Sequence, residues 1–276
     1  MRINKEVYME KTDNKSVVKS ILKTYRKDIW KKTIKAMDEY KMVKEGDNIA
    51  VCMSGGKDSF LLALVLREIQ RHYIIKFGLK FIVMDPGYAP EVLDLIKNNA
   101  KNFELDIEIF NTNIFKEVDQ EKNPCYLCAR KRRGHLYRKA MELGCNKIAL
   151  GHHFDDVIET ILLNMLYAGT YGSMMPKLKS DHYPNMELIR PLYLVKEHDI
   201  KRWVNYNNLT FINCACNVTN KKVDSKRREI KELIENLRKV YKDIDKNIFK
   251  SSENINLNTV LGYYYNKEKH SFLDDY

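Results

Sequence analysis

Short apolar runs and helical stretches alternate along the first two thirds of the chain, and few folds accommodate that alternation. Asn48 to Met53 is an apolar run followed by Ser54-Gly55-Gly56. Phe60 to Arg71 then reads as a helix with Leu61, Leu62, Leu64, Val65 and Ile69 as its apolar stripe. Phe81 to Met84 reads as a strand, Asp85-Pro86-Gly87 as a turn, and Pro90 to Asn102 as a helix opened by proline. Asp106 to Phe110 alternates as a strand, and a helix follows from Cys128 to Leu143, stopped by Gly144. Lys147 to Leu150 is another strand, and Asp156 to Ala168 another helix, ending at Gly169. This pattern predicts an α/β fold, a parallel sheet covered by helices on both faces. Right-handed crossovers would gather the loops at the carboxyl ends of the strands, where ligands bind.

The flanks are less informative. Ser16 to Lys41 reads as a basic helical stretch without a breaker, closed by a Glu45-Gly46-Asp47 turn. Glu197 to Asn208 and Asp224 to Val240 are further helices, and Asp245 to Tyr276 reads as an irregular tail. The expected organisation is an N-terminal helical extension over 1–45, a catalytic domain over 46–217, and a C-terminal helix and tail over 218–276. The apolar run from Phe60 to Leu66 is too short to cross a bilayer, and residues 1–19 carry no secretory signal. A cytoplasmic protein without membrane contact is expected, in which the six cysteines serve as thiols or metal ligands. The net charge of +11 suits a polyanionic partner.

The loop Ser54-Gly55-Gly56-Lys57-Asp58-Ser59 falls between the first strand and its helix. Its glycines let backbone N–H groups approach phosphate, and the helix adds the positive end of its dipole. Lys57 can neutralise phosphate charge, and the Ser54 and Ser59 hydroxyls can donate. The loop lacks the upstream glycine of a Walker A motif and is not G-x-G-x-x-G. It resembles the pyrophosphate loop of the PP-loop ATPases. That resemblance implies a Rossmann-like sheet of the adenine nucleotide alpha hydrolase (HUP) type with five parallel strands. It also implies cleavage of ATP between the α and β phosphates.

Gly151-His152-His153-Phe154-Asp155-Asp156 follows the Lys147 to Leu150 strand and should share the same sheet edge. Asp155 or Asp156 could hold Mg²⁺ against phosphate oxygens, and His152 or His153 could contact the nucleotide. Asp156 could equally be a helix cap, boxed with Glu159. The motif resembles the Gly-His-His-x-x-Asp element of tRNA-modifying PP-loop enzymes. Lys57, Asp58 and Asp155 are the candidate catalytic residues; Ser54 to Ser59, Gly151, His152 and Asp156 are the candidate nucleotide ligands.

Cys125-Tyr126-Leu127-Cys128 enters a helix, and Cys214-Ala215-Cys216 lies far along the chain. Two separated clusters read as one metal site, with four thiolates for zinc or three for a 4Fe-4S cluster with an open iron. Spacing alone does not choose between them. Cys52 and Cys145 read as structural. The loop, the C-x-x-C pair, Gly151 to Asp156 and Cys214, together with the lead-in from Tyr25, resemble the tRNA 2-thiocytidine synthetase (TtcA) family as far as Arg228. The resemblance implies ATP, Mg²⁺ and a 4Fe-4S cluster on Cys125, Cys128 and Cys214, with tRNA as substrate and a homodimer as the assembly. The family commonly has C-x-x-C where this chain has C-x-C, so Cys216 rivals Cys214.

Arg130, Lys131, Arg132 and Arg133 start the helix behind the C-x-x-C pair, where cations oppose the dipole, so helix stability does not explain them. Lys19, Lys23, Arg26, Lys27, Lys31 and Lys32 form a second basic surface, and Lys226, Arg227 and Arg228 a third. The expected activity is ATP-dependent tRNA thiolation: a cytidine base is adenylated, then receives sulfur from a donor the sequence does not identify. Two rivals are a PP-loop ligase that delivers nitrogen and a zinc-stapled tRNA-binding module without catalysis.

Overall fold

The computed structural model describes residues 13–114, 124–212 and 223–276, with only the backbone of 124–129 and 223–225. Two compact units form: Met1–Val157 with Met174–Lys226, and Ile158–Ser173 with Arg227–Tyr276.

The first unit is built on a six-stranded sheet in the order β3-β2-β1-β4-β6-β5. The strands are β1 (Asn48–Met53), β2 (Gly78–Asp85), β3 (Ile107–Asn111), β4 (Lys147–Ala149), β5 (Lys177–Lys179) and β6 (Glu187–Ile189). Five are parallel, and β5 runs antiparallel to β6 at the edge. Central β1 is apolar along its length and buried after its first residue, as a strand covered on both faces must be. The sheet thus carries an antiparallel edge strand beyond the five parallel strands implied by the family resemblance. Three-residue β5 and β6 are too short to show a hydrophobic period.

Between β1 and β4 the strand order reverses, because β2 and β3 are added on one side of β1 and β4 on the other. Loops leaving β1 and β4 diverge there and open a crevice at the carboxyl edge, the usual ligand position in such sheets. Helix α3 (Lys57–His72) follows β1 and is buried continuously from Ser59 to Ile69. Helices α4 (Pro90–Asn102) and α5 (Pro124–Glu142) follow β2 and β3, and α6 (Phe154–Tyr167) follows β4. Helix α7 (Glu197–Tyr206) follows β6.

The N-terminal stretch is not one helix. It comprises α1 (Asn14–Leu22), a π-helical turn over Arg26–Trp30, and α2 (Lys31–Glu39). The wider turn buries Ile29 and Trp30 next to Tyr25, whose hydroxyl donates to the Arg202 carbonyl at 3.0 Å.

The tail is ordered rather than irregular. Helix α8 (Val223–Val240), which enters the second unit at Arg227, is followed there by α9 (Ile244–Ser251) and a hairpin of β7 (Gly262–Tyr265) with β8 (Glu268–Ser271). Its two-residue turn, Asn266-Lys267, has φ of 50° and 71°, the pattern of a type I′ turn. Lysine at the second position hides the turn from a search for Asn-Gly. Among the described residues, no helix is long and apolar enough to cross a membrane.

Candidate active site

The β1 loop closes on itself before any ligand is considered. Gly55 takes φ of +86°, and Gly56 caps α3 in an extended conformation. The Ser59 hydroxyl donates to the Gly56 carbonyl at 2.9 Å and accepts the Ser54 N–H at 3.2 Å. The hydroxyl expected to meet phosphate is therefore engaged in shaping the loop. Ile212 covers the loop from behind, its N–H donating to the Gly55 carbonyl at 3.3 Å. A β-carbon at Gly55 would fall 2.5 Å from Ile212 Cδ1.

The β4 loop lies against this one. A β-carbon at Gly151 would come within 3.1 Å of the Asp58 carbonyl, so glycine permits the close approach of the two motifs. His153 and Asp156 cap α6 reciprocally: the Asp156 carboxylate accepts the His153 N–H at 2.9 Å, and His153 Nδ1 lies 3.4 Å from the Asp156 backbone nitrogen. This is capping-box logic with His153 as the partner in place of the expected Glu159.

A cavity of about 380 Å³ occupies the crevice between the motifs, within the size range of small-ligand sites. Ser54, Asp58, Ser59, Gly151, His152 and Asp156 line it, with Tyr88 beyond β2 and Arg132 and Arg133 of α5. The structure thus gathers residues from both sequence motifs around one space.

Lys57 and Asp155 stand beside that space rather than in its lining. The Lys57 ammonium donates to Asp58 Oδ2 at 3.1 Å and to Glu197 Oε1 at 3.3 Å. Burial works against its charge, but the two carboxylates outweigh that effect and hold its pKa above the ordinary value. Asp155 accepts the Glu197 backbone N–H at 2.7 Å, at the start of α7. Glu197 thus ties Lys57 to Asp155 on one rim. Sequence reading missed it, because its only signal is an acidic residue in the first turn of a distant helix.

Asp58 Oδ1 is buried and makes no hydrogen bond among the described residues; His153 Nε2 is 3.9 Å away. A buried carboxylate oxygen without a hydrogen bond, on a residue lining the cavity, suits a cation or a ligand donor. Arg190 is a second residue the sequence did not single out. Its Nε donates to His152 Nδ1 at 3.3 Å, which leaves the imidazole hydrogen on Nε2. Burial, then the neighbouring Arg133, lowers the Arg190 pKa to about 10.

Cys125 and Cys128 are the second and fifth residues of α5, three residues apart and hence at positions on one helix face. Cys214 and Cys216 lie outside the described residues. Cys52 and Cys145 are buried free thiols whose pKa values burial raises, so neither is poised to be a thiolate ligand.

Residues 25–237 match the family model of the PP-loop domain. A tRNA-cytidine(32) 2-sulfurtransferase from Pelobacter propionicus is 36% identical over 225 residues, 80% of this chain and 83% of that protein. The chain belongs to this PP-loop family. The enzyme of the same name from Delftia acidovorans is 41% identical over 184 residues, 65% of this chain and 58% of that protein. Among solved structures, the U34-tRNA thiolase NcsA from Methanococcus maripaludis, determined with its 4Fe-4S cluster, superposes with a TM-score of 0.63 at 22% identity. The match covers 82% of this chain and 79% of that one, and shows that the PP-loop fold is common to both.

Proposed function

We propose that this protein is an ATP-dependent tRNA sulfurtransferase that forms 2-thiocytidine, acting in the cytoplasm as a homodimer. The convergence of Ser54–Ser59 with Gly151–Asp156 around one cavity carries the reading, and the family relatives support it. ATP lies on the β1 loop, with its phosphates toward the N-terminus of α3. Asp58 and Asp156, both in the cavity lining, would hold Mg²⁺, which would offset phosphate charge. The C2 oxygen of cytidine attacks the α phosphorus and pyrophosphate departs, leaving the base O-adenylated. Backbone N–H groups of the loop stabilise the negative charge that builds on the pyrophosphate. Lys57, held protonated between Asp58 and Glu197, adds a fixed positive charge beside it. A sulfur nucleophile then forms a bond to C2 as the C2–O bond breaks, and AMP leaves with the oxygen.

Cys125, Cys128 and Cys214 would hold the 4Fe-4S cluster. When bound, the cluster would carry sulfide delivered by an external donor and present it as the nucleophile for C2. The chain's own part is to keep two thiols at the start of α5, the helix whose Arg132 and Arg133 line the nucleotide cavity.

Anaerobic protein incubated with ATP, Mg²⁺, sulfide and unmodified tRNA should release pyrophosphate in a tRNA-dependent manner and yield 2-thiocytidine by mass spectrometry. Cys125→Ala should lose the product and retain ATP binding. Colourless, zinc-loaded protein with full thiolation would remove the cluster from the scheme. Absence of any tRNA-dependent pyrophosphate release would remove the activity.

A further inference from the structure

A second cavity of about 800 Å³ lies in the first unit, between the outer side of α5 and the turn joining β5 to β6. Its charge is one-sided. Arg130, Lys131 and Arg133 line it from the helix, and Lys179 and His182 from the turn; Asp181 is the one acid in the lining. Its floor is aromatic: Tyr137 and Tyr183 stack with centroids 5.2 Å apart. The Tyr183 hydroxyl donates to the Gly134 carbonyl at 3.1 Å, tying the turn to the helix. Arg133 lines this cavity and the nucleotide cavity alike, so the two spaces meet at one side chain.

We infer that this groove receives a single-stranded stretch of the tRNA substrate and delivers its base past Arg133 into the nucleotide cavity. The inference rests on the proposed tRNA-modifying activity and adds where the RNA lies. Arg130, Lys131 and Arg133 bring like charges together along one stretch of α5, an arrangement suited to a polyanion. The crowding of Arg133 against buried Arg190 has the same sense. A basic channel with an aromatic floor is how single-stranded nucleic acid is held, through phosphate contacts and base stacking.

The test uses full-length protein, an unmodified tRNA transcript, and anisotropy titrations at several salt concentrations. Lys179→Glu combined with His182→Glu changes exposed side chains outside the nucleotide cavity. The double variant should bind tRNA at least tenfold more weakly. The slope of log affinity against log salt should fall by about 0.7 for each phosphate that is no longer neutralised. Binding of a non-hydrolysable ATP analogue should be unchanged. Arg130→Glu, on the opposite wall, should act in the same direction. Wild-type affinity and salt slope in both folded variants would overturn the inference while leaving the activity standing. If tRNA binding is intact but thiolation fails with a protein sulfur donor and succeeds with inorganic sulfide, the groove belongs to that donor and the inference is wrong. If wild-type protein neither binds nor thiolates tRNA, the underlying activity has failed instead.

Discussion

Lys57 and Glu197 are 140 residues apart in sequence, yet the ammonium of one lies 3.3 Å from the carboxylate of the other. With Asp58 3.1 Å away on the other side, the lysine is a half-buried cation between two acids. Removing it leaves two partly desolvated carboxylates facing each other. Lys57→Ala should therefore lower stability by about 1–3 kcal/mol, the cost of stranding a buried charge-paired group. Denaturant titration reads this directly. Glu197→Ala should cost less, and the double variant should cost less than the sum, with a coupling of roughly 0.5–3 kcal/mol. Strict additivity in the cycle would show that the pair carries no energy. In the activity assay Lys57→Ala should lose pyrophosphate release by about 100-fold or more, the scale for removing one charge-stabilising group.

Gly151 tests whether the contact between the two motifs matters. Its backbone is ordinary, so alanine brings no conformational penalty there. The added methyl would press on the Asp58 carbonyl and Ser59 nitrogen at 3.1–3.2 Å, and these belong to the first turn of α3. Backbone in a helix start cannot step aside without carrying the loop with it. Gly151→Ala should weaken ATP binding at least tenfold in calorimetry while shifting the melting temperature only slightly. Unaltered ATP affinity would mean that the motifs can separate without consequence.

How far the sequence revealed this site depends on the range of each signal. The loop at Ser54–Ser59 and the motif at Gly151–Asp156 were legible because each is a local run placed between a strand and a helix. The alternating pattern also put both on one sheet edge. Glu197 and Arg190 were not legible, since each acts through a partner 140 or 38 residues away. Ser59 was legible as a loop hydroxyl, but its bonds to Gly56 and Ser54, which close the loop, were not. The C-terminal hairpin was lost for a different reason: its turn takes Asn266-Lys267 in a conformation usually signalled by Asn-Gly.

Asp156 has two roles that substitutions can separate. As the third residue of α6 it accepts the His153 N–H, and as a cavity wall it presents charge to whatever binds there. Asp156→Asn keeps an acceptor oxygen and removes the charge. It should retain stability to within about 0.5 kcal/mol, yet raise the Mg²⁺ concentration needed for pyrophosphate release at least tenfold. Asp156→Ala loses the cap as well and should cost a further ~1 kcal/mol. If the asparagine variant turned over normally at limiting Mg²⁺, Asp156 would be a cap alone.

The opposite edge of the sheet sets the acid limit of the fold. Lys147, only 2% exposed, lies 2.9 Å from Asp47 and 2.8 Å from Glu187, and also donates to the Met42 carbonyl. For Asp47, burial alone would raise the pKa, but hydrogen bonds from Asn146 and the Lys44 N–H, with Lys147, prevail and lower it. For Glu187 burial is likewise outweighed, here by Lys147 and Lys177. A carboxylate whose folded pKa is depressed contributes stability that is present above its unfolded value and lost as pH falls through its folded value. Stability should therefore decline from about pH 4.5 downward, as Glu187 and then Asp47 take up protons on unfolding. Lys147→Met removes the central cation and should cost about 3–5 kcal/mol at pH 7, because buried Asp47 loses its cation and Glu187 keeps only Lys177. The deficit should shrink toward pH 3, where protonation removes the charge that Lys147 offsets. Urea titrations of both proteins between pH 3 and 7 measure the difference; a deficit constant across that range would exclude Lys147 as the source of the acid sensitivity.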